Sequence, residues 1–194
     1  MNTLQRADWN LTGAVNFYDA DIDLLNCSFI NNHCEDALNT IRTLFYMKDC
    51  KISNTYADGF DADFCEGLIE SLSVEDTGND ALDFSGSMIT IQKVDIHRPG
   101  DKGISVGEEA YVKVTSAFIQ DASIGVASKD LSRLKINLVN MVNCKTGFAG
   151  YQKKPEFGPG TIEVARYGAE KVARLYLLDK GSKLMLVDKE IIGE

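Results

Sequence analysis

A small residue followed by an apolar one recurs every 22 residues: Ala37-Leu38, Gly59-Phe60, Ala81-Leu82, Gly103-Ile104, Gly125-Val126 and Gly147-Phe148. Other columns keep the same step. One runs Ile30, Ile52, Val74, Ile96 and Phe118, another Leu24, Tyr46, Leu68, Thr90, Val112 and Leu134, and a polar column pairs Asn32 with Asn54. A fixed period of this length marks a stack of structural repeats, each of which buries its apolar face only against its neighbours. Within a unit, runs such as Met88-Ile89-Thr90-Ile91 and Tyr111-Val112-Lys113-Val114 alternate or cluster apolar residues between Asn, Asp, Gly and Ser. They read as short strands punctuated by turns. No helical period persists, which excludes helical-repeat arrays, and the LxxLxLxxN pattern of leucine-rich repeats is missing.

The expected fold is therefore all-β, a parallel β-helix with about 22 residues per coil and seven or eight coils between Gly13 and Val187. Successive coils stack about 4.8 Å apart, so each sequence column becomes a ladder of touching side chains. The chain reads as one domain over residues 1–194: an N-terminal edge over 1–13, regular coils over 14–150, a projecting loop over 151–160, and final coils with a C-terminal cap over 161–194. The loop holds two of the three prolines, Pro155 and Pro159. No capping element is expected ahead of Val15 apart from residues 1–12, which predicts a segment of a longer helix and an edge open to end-to-end association.

The charge is uneven along the stack. Of 20 Lys+Arg and 29 Asp+Glu, residues 1–97 hold 5 basic and 17 acidic side chains, and residues 98–194 hold 15 and 12. No basic excess is available for phosphates, so nucleic acid is excluded as a partner. A hydrophobic fraction of 44% with 25% charged residues excludes disorder. No run approaches the ~20 apolar residues of a membrane span, and Met1-Asn2-Thr3-Leu4-Gln5 lacks the features of a signal peptide. The five cysteines contain no CxxC pair and read as free thiols serving as small apolar groups. Cys34 and Cys144 share a column but lie five coils apart, too far for a disulfide. With only His33 and His97, a multi-histidine metal site is excluded.

Stacking brings acids together. Asp36, Asp58 and Asp80 stand one residue before their anchors and Lys102 follows them in the column; Asn39, Asp61, Asp83 and Ser105 stand two residues after. Asp61 then lies beside Asp83 and Asp58 beside Asp80, with Asp63 next along. Two bare carboxylates ~5 Å apart repel by about 0.8 kcal/mol even at the dielectric of water. Three outcomes relieve this. Ca²⁺ held by Asp61, Asp63 and Asp83 would neutralise the cluster; one carboxyl keeping its proton would become a general acid; or the residues cap turns by accepting backbone amides. Asp58, Asp63, Asp80, Tyr151 and Lys153 are the expected ligand-binding residues. Tyr151 and Phe157 offer rings for stacking on sugars, Trp9, Phe17 and Tyr18 sit near the N-terminal edge, and Phe60, Phe84, Phe118 and Phe148 are expected in the core.

The units Asp58-Gly59-Phe60-Asp61, Asp80-Ala81-Leu82-Asp83-Phe84-Ser85-Gly86-Ser87, Gly100 to Glu108 and Ile124 to Asp130, with the Tyr151–Gly158 loop, carry a likeness to a known group. Over roughly residues 14–160 the chain resembles the right-handed parallel β-helix proteins of the pectate-lyase-like superfamily. Within it the chain is similar to β-helix modules of large bacterial surface proteins, some accompanied by a spore-coat-type kinase domain. The resemblance implies a right-handed coil and an extracellular or cell-surface setting, with a polysaccharide or a surface protein as partner. Its superfamily includes lyases, epimerases, adhesins and spacers, so it does not fix an activity.

For a lyase or C5-epimerase of acidic glycans, the residues expected to carry catalysis are Asp61, Asp83 and Lys129. Such an enzyme must neutralise a uronate carboxylate and remove a proton from C5. Asp83 and Lys129 stand two coils apart, about 10 Å at the strand spacing, room enough for a sugar ring. The Gly59-Phe60-Asp61-Ala62-Asp63 run is similar to the Gly-Phe-Asp-Pro-His run of alginate C5-epimerases, with Ala62 in place of the proline and Asp63 in place of the catalytic histidine. The leading expectation is a binding module, with the enzyme and an inert spacer as alternatives.

Overall fold

The structure, a computed structural model, describes residues 4–6 and 9–194, with side chains from Leu11 onward. All regular elements among the described residues are strands; Leu4–Arg6 and Trp9–Leu11 pair antiparallel in a sheet of their own, and the others form a parallel β-solenoid. An anchor sheet of eight strands stacks one strand from each coil, from Gly13–Tyr18 through Asp36–Ile41, Asp58–Asp63, Leu82–Ser85, Lys102–Gly107, Ile124–Lys129 and Thr146–Tyr151 to Arg174–Leu178. An 11-stranded wide sheet supplies the rest of each coil. Its long strands, such as Glu66–Thr77, Met88–Pro99 and Tyr111–Gln120, lose their pairing at Glu70, Gln92 and Thr115, where the sheet turns a corner into two arms. At the C-terminal end Lys189–Ile192 pairs antiparallel with Lys183–Leu186, the reversal that ends the parallel stack. The Trp9 side chain lies outside the described residues.

The small-then-apolar column holds through the anchor sheet. Leu38, Phe60, Leu82, Ile104, Val126 and Phe148 are fully buried and lie in register. Each points inward because side chains alternate across a strand. The preceding position is small because the next coil runs close by: a Cβ on Gly103 would lie 2.6 Å from the Gly125 carbonyl oxygen, and one on Gly59 2.6 Å from that of Ala81. Phe45, Phe60 and Phe84 pack edge to face with centroids 5.3 and 5.7 Å apart, giving the early coils a run of interlocked rings.

The period is less strict in the wide sheet. Tyr111 pairs with Met88 and Ile119 with Ile96, both 23 residues on, because one extra residue enters around Gly107–Ala110 and is recovered before Ile124. The Ile52, Val74 and Ile96 column is therefore continued by Ile119, and at the other end by Phe29, because the first coil also takes 23 residues; Ile30 is 54% exposed. Phe118, expected in the core, faces outward and lies against the His97 ring at 5.4 Å. In the other column Tyr46, Leu68 and Thr90 do pair but face outward, and Val112 aligns with Ile89 instead. Asn54 donates to Asn31, at 2.5 Å, rather than to Asn32. Both Asn31 and Asn54 have positive φ, a backbone that Asn adopts more readily than most residues. Phase slips of one residue preserve an apolar pattern but move the partner, which is why single columns mislead where the anchor column does not.

The cysteines are free. Cys50, Cys65 and Cys144 are buried and Cys27 and Cys34 half-buried. Cys65 sits in a hydrogen-bonded corner ladder: the Thr43 amide donates to its Sγ, and the Cys65 amide donates to Ser87 Oγ.

Candidate functional site: an acidic groove over the anchor sheet

The outward positions of the anchor sheet line a groove of about 740 Å³. It gathers Asp58, Asp61, Asp63, Asp80, Asp83, Lys129, Tyr151 and Lys153, all expected as site residues, together with Asp36, Asn39 and Lys102. Register places Asn39, Asp61, Asp83 and Ser105 in one column, and Asp63, Ser85 and Gly107 in the next, with Lys129 beside Tyr151 farther along.

The acids divide by what they touch. Asp58 accepts from the Asp80 amide at 2.8 Å and from Asn79 Nδ2 at 2.7 Å. Asp80 accepts from the Lys102 amide at 3.1 Å and from Lys102 Nζ at 3.2 Å. These two corner residues tie each coil to the next, the turn-capping role open to Asp. Even so, burial lifts both carboxyls to about 6, against the pull of these donors. Asp61 and Asp63 differ, for no backbone amide donates to either side chain among the described residues. Asn39 Nδ2 bridges Asp36 and Asp61, 3.2 Å from each. Burial, and then the charges of Asp63, Asp36, Asp83 and Asp58, drive the Asp61 carboxyl far above the usual carboxylate range. Burial and the charge of Glu108 raise Asp63 as well. The groove floor thus contains a carboxylic acid that keeps its proton at neutral pH.

Asp83 and Lys129 are not separated by an open space. Lys129 Nζ donates to the Asp83 carboxylate at 3.3 and 3.4 Å and to Ser105 Oγ at 2.9 Å, and the lysine is only 5% exposed. The expected room for a sugar ring between them is filled by the lysine itself. Its stem crosses Gly107, where a Cβ would come within 2.6 Å of Lys129 Cε. Burial works to lower the Lys129 pKa, but Asp83, Tyr151 and Asp80 outweigh it and the net shift is upward. Lys102 behaves alike: desolvation opposes its charge, and Asp101 and Asp80 more than restore it. Burial also raises the Tyr151 phenol.

At the far end the corner between Tyr151 and Thr161 closes on Asp130, which is fully buried. Asp130 Oδ1 accepts from the Lys153 and Lys154 amides at 2.7 and 2.8 Å. Lys154 Nζ reaches Glu108 at 2.6 Å, whereas the Lys153 ammonium has no partner among the described residues and borders the groove. The roles of Asp130 and Gly107 escaped sequence reasoning. Gly107, a bare position in an outward column, was the available signal for the second. Phe157, expected to stack on sugars, does not line the groove.

Two of the three expected calcium ligands have other partners. Asp83 is engaged by an ammonium group, Asp61 is bound to Asn39, and no group of three or more His, Cys, Asp or Glu among the described residues is arranged to hold a metal ion. No described helix is long and apolar enough to cross a membrane.

Comparison with family models gives a match to the right-handed β-helix region over residues 33–164, more than half of the chain. No curated protein and no solved structure matches it.

Proposed function

The chain belongs to the right-handed β-helix family, and we propose that it is a binding module whose anchor-sheet groove takes a polysaccharide chain, in the secreted or surface setting its sequence resemblance implies. The observation that carries this reading is the groove floor, in which the amide of Asn39, the proton-bearing Asp61 and the lysine-bound Asp83 follow one another in register. A protonated carboxyl donates and accepts at once, matching the paired hydroxyls of a sugar. Apolar lining is scarce, with Ile41 the one aliphatic side chain among the described residues, so an apolar protein surface would leave these polar groups unpaired. The Lys153 ammonium, without a partner among the described residues, borders the groove with Tyr151 and suits an acidic sugar at that end.

A lyase or epimerase is the second reading, favoured by the proton-bearing Asp61 next to Asp83. It requires a base. Lys129 is held as an ammonium ion and Tyr151 retains its proton, so neither fills that role near neutral pH.

Calorimetric titration with a panel of neutral and uronate oligosaccharides tests the module. Binding weakened at least about tenfold by Asp61→Ala or Lys153→Ala is expected, a loss typical of one or two hydrogen bonds to a charged or buried group. No binding by any oligosaccharide sinks the reading. Formation of unsaturated products would move the assignment to the enzyme.

A further inference from the structure

The outer surface of the wide sheet's first arm carries a second pattern, independent of the groove. One unbroken column crosses all the coils: Asp21, Leu44, Glu66, Met88, Tyr111, Arg133, Thr161 and Lys183, each paired in register with the next. Its first half is acidic and apolar, with Leu44 55% and Met88 60% exposed. Its second half is basic. In the adjacent outward column Asp23 lies at the acidic end, and Lys113 and Lys135 at the basic end with Glu163. Asp21, Glu66, Arg133 and Lys183 form no ion pair among the described residues.

We propose that this arm is the interface of a homodimer whose solenoid axes run antiparallel. The column is self-complementary about a two-fold axis lying in the interface, along the strands and between Met88 and Tyr111. That axis sets Asp21 opposite the partner's Lys183, Glu66 opposite the partner's Arg133 and Met88 opposite the partner's Tyr111, and symmetry makes each contact twice. The parallel arrangement would set acid against acid and base against base. Eight strands at about 4.8 Å spacing and about five residues of about 3.3 Å each make a face of about 35 by 17 Å. Its burial removes about 600 Å² per partner, about 1,200 Å² in all, at the lower bound for specific interfaces. Such a dimer is held by charge pairing across a modest apolar strip, so its affinity falls with salt.

Sedimentation equilibrium of the full chain at about 0.05 M and about 0.5 M salt provides the test. The wild type is expected to be a dimer that loosens at high salt. Asp21→Lys/Glu66→Lys and Arg133→Glu/Lys183→Glu, all at exposed positions, should each weaken self-association at least about tenfold through like-charge contacts. An equimolar mixture of the two variants should dimerise again, because in the Asp21–Lys183 column one presents only basic and the other only acidic charges. Circular dichroism and melting confirm that each variant is folded. A wild-type monomer at all concentrations, a dimer indifferent to both reversals, or a mixture that stays monomeric overturns the proposal. So does a monomer that instead binds a basic peptide at its acidic end. Oligosaccharide binding in the groove should be the same in every variant, so the two readings fail separately.

Discussion

Replacing Asp61 with Asn is expected to stabilise this protein, by an amount that grows with pH. Asp61 has Asp83 on the next strand and Asp63 two residues along its own, and it contacts Asn39, whose amide it shares with Asp36. A charge at Asp61 would sit about 5 Å from that of Asp83, a repulsion of about 0.8 kcal/mol at the dielectric of water and about 3 kcal/mol at an effective dielectric of about 20. An unfolded Asp ionises near 3.8, while the folded carboxyl holds its proton to much higher pH because of burial and its acidic neighbours. Well below pH 3.8 both states carry the proton and Asp61 imposes no penalty. As pH rises the unfolded chain sheds the proton first, so the folded state loses stability until its own carboxyl ionises. Asn has the shape of the protonated acid and no proton to lose. The variant should therefore match the wild type most nearly in acid and gain on it by up to about 1.4 kcal/mol per pH unit for as long as the folded carboxyl keeps its proton. At about 2–4 °C per kcal/mol for a domain of this size, the melting temperature rises by several degrees. Urea and thermal melts at about pH 4, 6 and 8 read this directly. A difference independent of pH, or a loss of stability at pH 8, would refute the electrostatic account of the groove.

Lys129→Met leaves Asp83 without its ammonium partner and should lower stability by about 2–4 kcal/mol, below the ~3–5 kcal/mol of a fully buried pair because the Asp83 side chain is 24% exposed, with Asp83→Asn recovering much of it in a double-mutant cycle on urea melts. Gly103→Val drives a side chain into the Gly125 carbonyl and should cost at least about 2 kcal/mol, read as a lower urea midpoint. Millimolar Ca²⁺ is expected to leave the melting temperature unchanged at about pH 6, since Asp61 keeps its proton and Asp83 is paired; a clear rise would establish a cation site there. The Ser28–Lys51 register sets Cys27 beside Cys50, so a mild oxidant should join these two before any other pair, checked by mapping disulfide-linked peptides.

The anchor column was legible because two demands coincide there: an inward apolar side chain, and before it a position that the neighbouring coil's carbonyl keeps small. Each coil meets both at the same phase, so the 22-residue step survives through Phe148. The wide sheet meets only the first demand. Its residues slip by one between Met88 and Tyr111 without losing alternation, and so Phe118 reads as core while Ile119 occupies the interior. The adjacency of Asp61 and Asp83 followed from the period, as did the membership of the groove. The Lys129–Asp83 contact did not, because strand spacing measures the distance between backbones. A lysine stem laid along the solenoid axis over a bare glycine spans two coils, and no column count records the direction of a side chain.

The coil that runs from Arg133 to Thr161 takes 28 residues where its neighbours take 22 or 23, yet Leu134 still pairs with Ile162 and Phe148 with Tyr176. The surplus is spent wholly in the corner that Asp130 pins. Length and register are thus separate properties in this architecture: the sheets fix where each strand must lie, and the corner beyond Tyr151 takes up the surplus residues without shifting either sheet. New sequence can enter at that corner, beside the groove and at its basic end, without disturbing a single rung of the ladders.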